Sequence, residues 1–158
     1  MFVQPDEKAY TLNDARAMFE HRALWLYYLA ENPSSEDSDG PLHKAIRNCG
    51  LYHAAVKFGE FETIDKFNEI FTAEPVRSVF EMEIVEKSEE KLSVDFHYCP
   101  LVEAWKKVGA SEEDIKALCD IAMEGDRGII EGIGGTKFEL PKTIANGDDV
   151  CEIRISTL

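Results

Sequence analysis

Apolar residues recur at helical spacing through the first third of the chain, and the period then drops to two. In "TLNDARAMFEHRALWLYYLA", Ala15, Met18, Phe19, Arg22, Leu26 and Leu29 follow the 3.6-residue repeat. The segment predicts a helix with Thr11 or Asn13 as its cap. The polar, acidic run "ENPSSEDSDGP", Glu31 to Pro41, predicts a loop. Pro41 opens a second helix through "LHKAIRNCGLYHAAVKF", weakened in its middle by Gly50, and "FETIDKFNEIF" adds a short third one.

Period two begins in "SVFEMEIVE", where Phe80, Met82 and Ile84 share one face and Glu81 and Glu83 the other. In "KLSVDFHYC", Leu92, Val94, Phe96 and Tyr98 alternate with Ser93, Asp95, His97 and Cys99, and "KSEEK" supplies the hairpin loop between the two strands. Matching the apolar faces pairs Met82 with Phe96, which sets Glu81 opposite His97 and Val79 opposite Cys99. Cys99-Pro100 starts a short helix that ends before Gly109, and "SEED" at Ser111 to Asp114 caps a longer one reaching to about Gly132.

After the flexible "GIGGT", "KFELPKTIANGDDVCEIRIS" predicts a second hairpin turning at Asn146-Gly147. That register sets Phe138 against Ile155, Leu140 against Ile153, and Lys142 against Cys151. The order of elements predicts an α+β fold, N-terminal helices packed with antiparallel β-hairpins, in a single domain over 1–158. Its helical part covers about 1–75 and its hairpin–helix–helix–hairpin part about 76–158.

Charge narrows the partners. The chain carries 31 acidic against 17 basic side chains, a formal charge of −14, so its field repels phosphate backbones and anionic lipid. Nucleic acid and membrane partners are not expected, and a small-molecule substrate is; homo-oligomerisation stays open. "MFVQPDEKAY" lacks the charged and apolar regions of a secretory signal, and no apolar run approaches the roughly 20 residues that span a bilayer. Four cysteines without an export signal are expected to be reduced, which gives the cytoplasm as the expected compartment.

Three constellations could carry chemistry. On the helix after Ser111, Ile115, Leu118, Cys119, Ala122, Met123 and Ile130 form one apolar stripe, and Asp126 falls in its middle. A carboxylate there is costly unless paired. It is either a pocket acid for a cationic ligand or one half of an internal salt bridge. In the second hairpin, Lys142 facing Cys151 would favour the thiolate, whereas burial would make Cys151 a small core hydrophobe. The third is Asp95-x-His97-x-Cys99, where His97 and Cys99 could act as base and nucleophile or as two metal ligands, or His97 could simply bond Glu81 across the ladder. Cys49 reads as structural, and His21, His43 and His53 show no partner at helical spacing. No dinucleotide, phosphate-loop or nucleophile-elbow motif is present.

Tyr98-Cys99-Pro100, Cys119-Asp120, Gly125-Asp126, Lys142-Thr143 and Gly147-Asp148-Asp149-x-Cys151 together resemble the L-2-amino-thiazoline-4-carboxylic acid hydrolase family. The resemblance covers about Phe96 to Ile155 and, more loosely, the N-terminal half. It implies an α+β fold, with a remoter likeness to vinyl-reductase-type small-ligand domains. The implied activity is ring opening of a 2-amino-thiazoline carboxylate to a carbamoyl-cysteine, a step toward L-cysteine.

Such a substrate is an amidine-like cation that also carries a carboxylate. On this basis Asp126, with Asp120, would hold the cationic nitrogens and Lys142 the substrate carboxylate. Cys99, Cys119 or Cys151 would be the nucleophile and His97 the base. Two other classes compete. One is a small-ligand-binding or sensory domain in which Cys99, Cys119 and Cys151 hold zinc or another transition metal, or respond to oxidation. The other is an interaction protein presenting the aromatics of "LWLYYLA".

Overall fold

The computed structural model describes residues 10–158. The reading of the extreme N-terminus as leaderless lies outside the described residues. Helix α1 (Leu12–Leu29) begins in a capping box, Thr11 and Asp14 each satisfying the other's backbone N–H. Helix α2 (Pro41–His53) has proline in its first turn and runs on into a π-helical segment, Ala54–Phe58. Then come α3 (Ile64–Phe71), the one-turn α4 (Val76–Val79), and the strands β1 (Met82–Lys87) and β2 (Lys91–Phe96). Helix α5 (Pro100–Lys107) and the long α6 (Glu112–Ile133), capped by Ser111, lead to β3 (Thr136–Glu139) and β4 (Cys151–Thr157).

The α+β expectation holds, and the two hairpins are fused. The strand order is β1-β2-β4-β3 with every neighbour antiparallel, so β4 joins β2 and the C-terminal pair completes one sheet. The Met82–Phe96 and Phe138–Ile155 pairings are both present. Two details differ from the sequence reading.

Strand β1 starts at Met82, because Glu81 sits at φ 49 and turns the chain out of α4. The backbone N–H of His97 still reaches the Glu81 carbonyl at 3.3 Å, but regular pairing ends at Phe96. The strand alternation of Asp95, His97 and Cys99 therefore breaks before the cysteine. At the other end no two-residue turn forms: β3 stops at Glu139, two residues before Pro141, which has no N–H to give a ladder. Thr143 instead caps a 3-10 turn, Ile144–Asn146, closed by Gly147 at φ 94, and the Asp148 carboxylate accepts the Thr143 N–H at 3.0 Å.

One apolar core lies under the sheet, with Leu92, Val94, Ile153 and Ile155 against Phe67, Ile130 and Ile133. A second joins α1, α5 and the first half of α6 through Leu26, Val102, Trp105, Leu118 and Ile121. The buried Trp105 indole donates to the Ala23 carbonyl at 2.9 Å and fixes α5 on α1. Helices α2 and α6 run side by side in the same direction, backbone against backbone. Gly50 abuts Gly125 and Gly128, and Ala54 abuts Gly132. No helix of the described residues is long and apolar enough to cross a membrane.

Candidate functional site

The α2–α6 contact fixes what its neighbours can reach. Counting about 100° per residue from Gly50 and Gly125 puts Cys49 and His53 of α2, with Cys119 and Asp126 of α6, on one side of the pair. Arg47, Glu124 and Arg127 fall on the other side, where the charges neutralise one another. Buried Glu124 accepts from Arg47 at 2.7 Å and Arg127 at 2.6 Å, and these arginines overcome the burial that would raise its pKa. Asp120 belongs to this outer network, accepting from Arg127 at 2.9 Å with His43 at 3.5 Å. Its carboxylate is therefore shared between an arginine and a histidine.

The inner side is arranged differently. Burial pushes the Asp126 carboxyl up to about 6, against the attraction of Arg22 and Arg127. Asp126 makes no hydrogen bond or ion pair with any described side chain. The facing cation is Arg22 of α1. Burial lowers its pKa, and Asp126, Cys49 and Cys99 oppose that shift. The residue is exposed, and its guanidinium carbon lies 4.7 Å from the Phe19 ring centre. Arg22, too, has no ion-pair partner among the described residues.

The thiols converge beside this pair. Cys119 is pushed far above its ordinary range by burial, with Cys99 and Cys151 adding to the effect. Cys151 is pushed up to about 11 by burial, and Cys99, Asp148 and Asp126 raise it further. Its Sγ accepts the Ile144 N–H at 3.3 Å, which works the other way. Cys99, the residue before α5, is raised by burial but held back by the Val102 and Leu101 amides and by Arg22. Those amides act through their dipoles and form no capping hydrogen bond with the sulfur. All four cysteines are free thiols.

Three expectations fail on geometry. Lys142 does not face Cys151, because the loop after Pro141 turns it outward to Glu152 at 3.2 Å. His97 meets Glu83 at 2.8 Å on the solvent side of the sheet, two residues along from the Glu81 expected for it. Asp95 is taken by Arg154 at 2.8 Å. For the metal reading, no group of three or more His, Cys, Asp or Glu side chains among the described residues is placed to hold an ion, Cys99, Cys119 and Cys151 included.

Two members of the site escaped the sequence reading. Arg22 lies in the stripe of α1 that also holds Met18, Trp25 and Leu29, all exposed, so an arginine at helical spacing among apolar residues was its signal. His53 follows Cys49 by four residues, which is a partner at helical spacing after all. Burial, Lys57 and Arg22 hold its pKa below the ordinary histidine value.

The helices and the four-stranded antiparallel sheet define a fold shared with known proteins. A trafficking protein particle complex subunit 3 from Naegleria fowleri, described as covalently bound to palmitic acid, superposes with a TM-score of 0.60 at 18% identity. The match covers 90% of this chain and 96% of that one, and the likeness is one of fold. The model of the L-2-amino-thiazoline-4-carboxylic acid hydrolase family matches residues 16–155, and the chain belongs to that family. No curated protein matches it.

Proposed function

We propose that the protein hydrolyses a small cyclic amidine bearing a carboxylate, a 2-amino-thiazoline-4-carboxylate or a near relative. One observation carries this reading: Arg22 and Asp126 face each other as unpaired charges beside three thiols. The substrate presents the complementary pair. Its carboxylate suits the guanidinium of Arg22, and its amidinium suits the carboxylate of Asp126, each with two hydrogen bonds available. An enzyme of this kind suits a compartment that keeps four cysteines reduced, such as the cytoplasm, and its carbamoyl-cysteine product leads toward L-cysteine.

Cys99 is the best-placed nucleophile, since Arg22 and the amides at the start of α5 all favour its thiolate. Burial keeps it protonated at rest. A bound amidinium adds a second positive charge and brings the thiolate within reach. Asp126 then has two uses, holding the cation and, with a pKa near 6, exchanging a proton near neutrality. Purified protein incubated with 2-amino-thiazoline-4-carboxylate tests this: the ring should open at a rate that C99S and D126N abolish. Full turnover in both variants would sink it.

A second reading, ligand binding without turnover, draws on the protonated resting state of all three thiols. It predicts saturable binding of the same compound with no product.

A further inference from the structure

We propose that Arg16 is the positioning residue for the Cys99 thiol, acting by clamping the corner between β2 and α5, an assignment that rests on the hydrolase reading above. Arg16 reaches that corner from α1. Its guanidinium carbon lies 3.8 Å from the centre of the Tyr98 ring, the side chain next to Cys99. Its Nε donates to the Val79 carbonyl at 3.3 Å, and a terminal nitrogen donates to the Glu81 carboxylate at 2.8 Å. The Arg16 side chain is 16% exposed, so this arginine is engaged within the protein, unlike Arg22.

Those contacts bracket one residue, Phe80. Its carbonyl accepts the Tyr98 N–H at 3.2 Å, and the neighbouring Glu81 carbonyl accepts the His97 N–H at 3.3 Å. The Phe80 ring packs edge-on to Phe19, which follows Arg16 by three residues on α1, with ring centres 5.3 Å apart. The segment from Val79 to Glu81 is thus held by α1 and in turn holds His97 and Tyr98. Glu81 takes φ 49, a left-handed conformation that a non-glycine residue keeps only where its surroundings enforce it, and such residues cluster at functional sites. Its carboxylate is one of the groups that Arg16 grips.

Past the clamp the chain has little freedom. Tyr98 is pinned by ring and backbone, while Pro100 fixes the first turn of α5 and restricts the residue before it. Cys99 lies between the two, half-buried, in extended backbone, with its carbonyl accepting the Glu103 N–H at 3.1 Å. Farther along α5, the Trp105 indole on the Ala23 carbonyl ties the helix to α1 again. Ala23 follows Arg16 by seven residues, on the same line of α1, so one helix grips the segment that carries the thiol on both sides. A nucleophile displaced by ~1 Å loses rate far more than affinity, because Arg22 and Asp126, which hold the substrate, stay in place.

The test uses the full chain and 2-amino-thiazoline-4-carboxylate, with circular dichroism to confirm folding of each variant. Arg16→Ala should lower kcat by about 10- to 100-fold and leave KM within about threefold. Arg16→Lys should regain little, since an ammonium cannot lie flat on a ring while donating to two neighbours. Tyr98→Phe keeps the ring face and should match the wild type, whereas Tyr98→Ala should resemble Arg16→Ala. Because the two residues act as one unit, the double variant should be no slower than either single one. Lys107→Ala removes another contact between α5 and α1, at Glu20, and should leave kcat unchanged. If Arg16→Ala does not fold, Arg16→Lys and the Tyr98 variants carry the test. Wild-type kcat in the Arg16 variants, losses that multiply in the double variant, or an equal loss in Lys107→Ala overturns the positioning role and leaves the hydrolase reading standing. A wild-type protein that never opens the ring overturns both.

Discussion

Arg22 and Asp126 stand opposed between α1 and α6, each sensing the other's charge, with no ion pair between them. A fold optimised only for stability would close that gap or fill it with apolar side chains, because partly desolvated charges are expensive when unpaired. The same chain pairs Glu124 with two arginines on the far side of α6, so well-made ion pairs are within its means. The open pair is the place where a ligand with both charges gains the most.

Replacing Asp126 by Asn separates stability from function. The folded carboxyl is raised from its ordinary value near 3.8 to about 6, so the folded state holds its proton more tightly than the unfolded one. Stability is therefore lost as pH rises from about 4 to 6, and the penalty is complete above that range. Asn carries no such penalty. Urea unfolding at pH 8 should find D126N more stable by up to about 3 kcal/mol, less where water reaches the carboxylate, with the difference vanishing near pH 4. Turnover should be lost throughout.

Arg22 and Lys142 make opposite predictions for the substrate carboxylate. Lys142 is exposed and held by Glu152, a surface pair worth at most about 1 kcal/mol, so K142A should leave KM and stability nearly unchanged. R22Q should raise KM on the order of 10- to 100-fold, and R22K should recover only part of it, because an ammonium cannot present the forked donor pair. Steady-state kinetics on the three variants decide between them. A large KM effect in K142A with none in R22Q would restore the lysine.

The sequence betrayed this site wherever a residue broke its own pattern. Asp126 in an apolar helical stripe was legible because a misplaced carboxylate has few explanations, and Met82–Phe96 was legible because a one-residue slip would invert the sheet. Arg22 broke the pattern of α1 in the same way, yet an arginine stem passes for apolar and its guanidinium direction depends on tertiary packing. Lys142 failed for a local reason: the predicted register assumed a two-residue turn, while Pro141 ended the strand early and Thr143 with Asp148 built a longer loop. The fusion of both hairpins through β2 and β4 is a long-range pairing that no local period records.

The thiols should separate cleanly by reactivity. Cys49 is exposed, whereas Cys99, Cys119 and Cys151 are each raised by burial. With Ellman's reagent at pH 7 in native buffer, one thiol should react quickly and C49S should remove that phase. The remaining three should react only slowly at that pH and at once after denaturation. Raising the pH toward 10 should accelerate the slow phases continuously, since Cys151 titrates at about 11 and its thiolate fraction is still rising there. A fast phase that survives in C49S would identify an ionised thiol in the inner cluster.

The spacing of α2 and α6 tests the frame that holds everything else. A Cβ on Gly50 would press into the Gly125 carbonyl and lie 2.9 Å from the Gly128 Cα, and backbone cannot swing aside as a side-chain end can. Gly50→Ala must push the helices apart, at a cost of about 3 kcal/mol or more. For a chain of this size that corresponds to a fall in Tm of roughly 6–12 °C. Gly125→Ala is the control: its nearest contact is the Ile46 Cγ2 at 3.7 Å, ordinary van der Waals distance, so its Tm should stay level or rise as helix propensity improves. Because Cys49, His53 and Asp126 take their direction from this contact, a folded Gly50→Ala protein should also lose turnover out of proportion to its stability. If Gly50→Ala instead melts with the wild type and keeps its kinetics, the close approach of the two helices is not what aims the site.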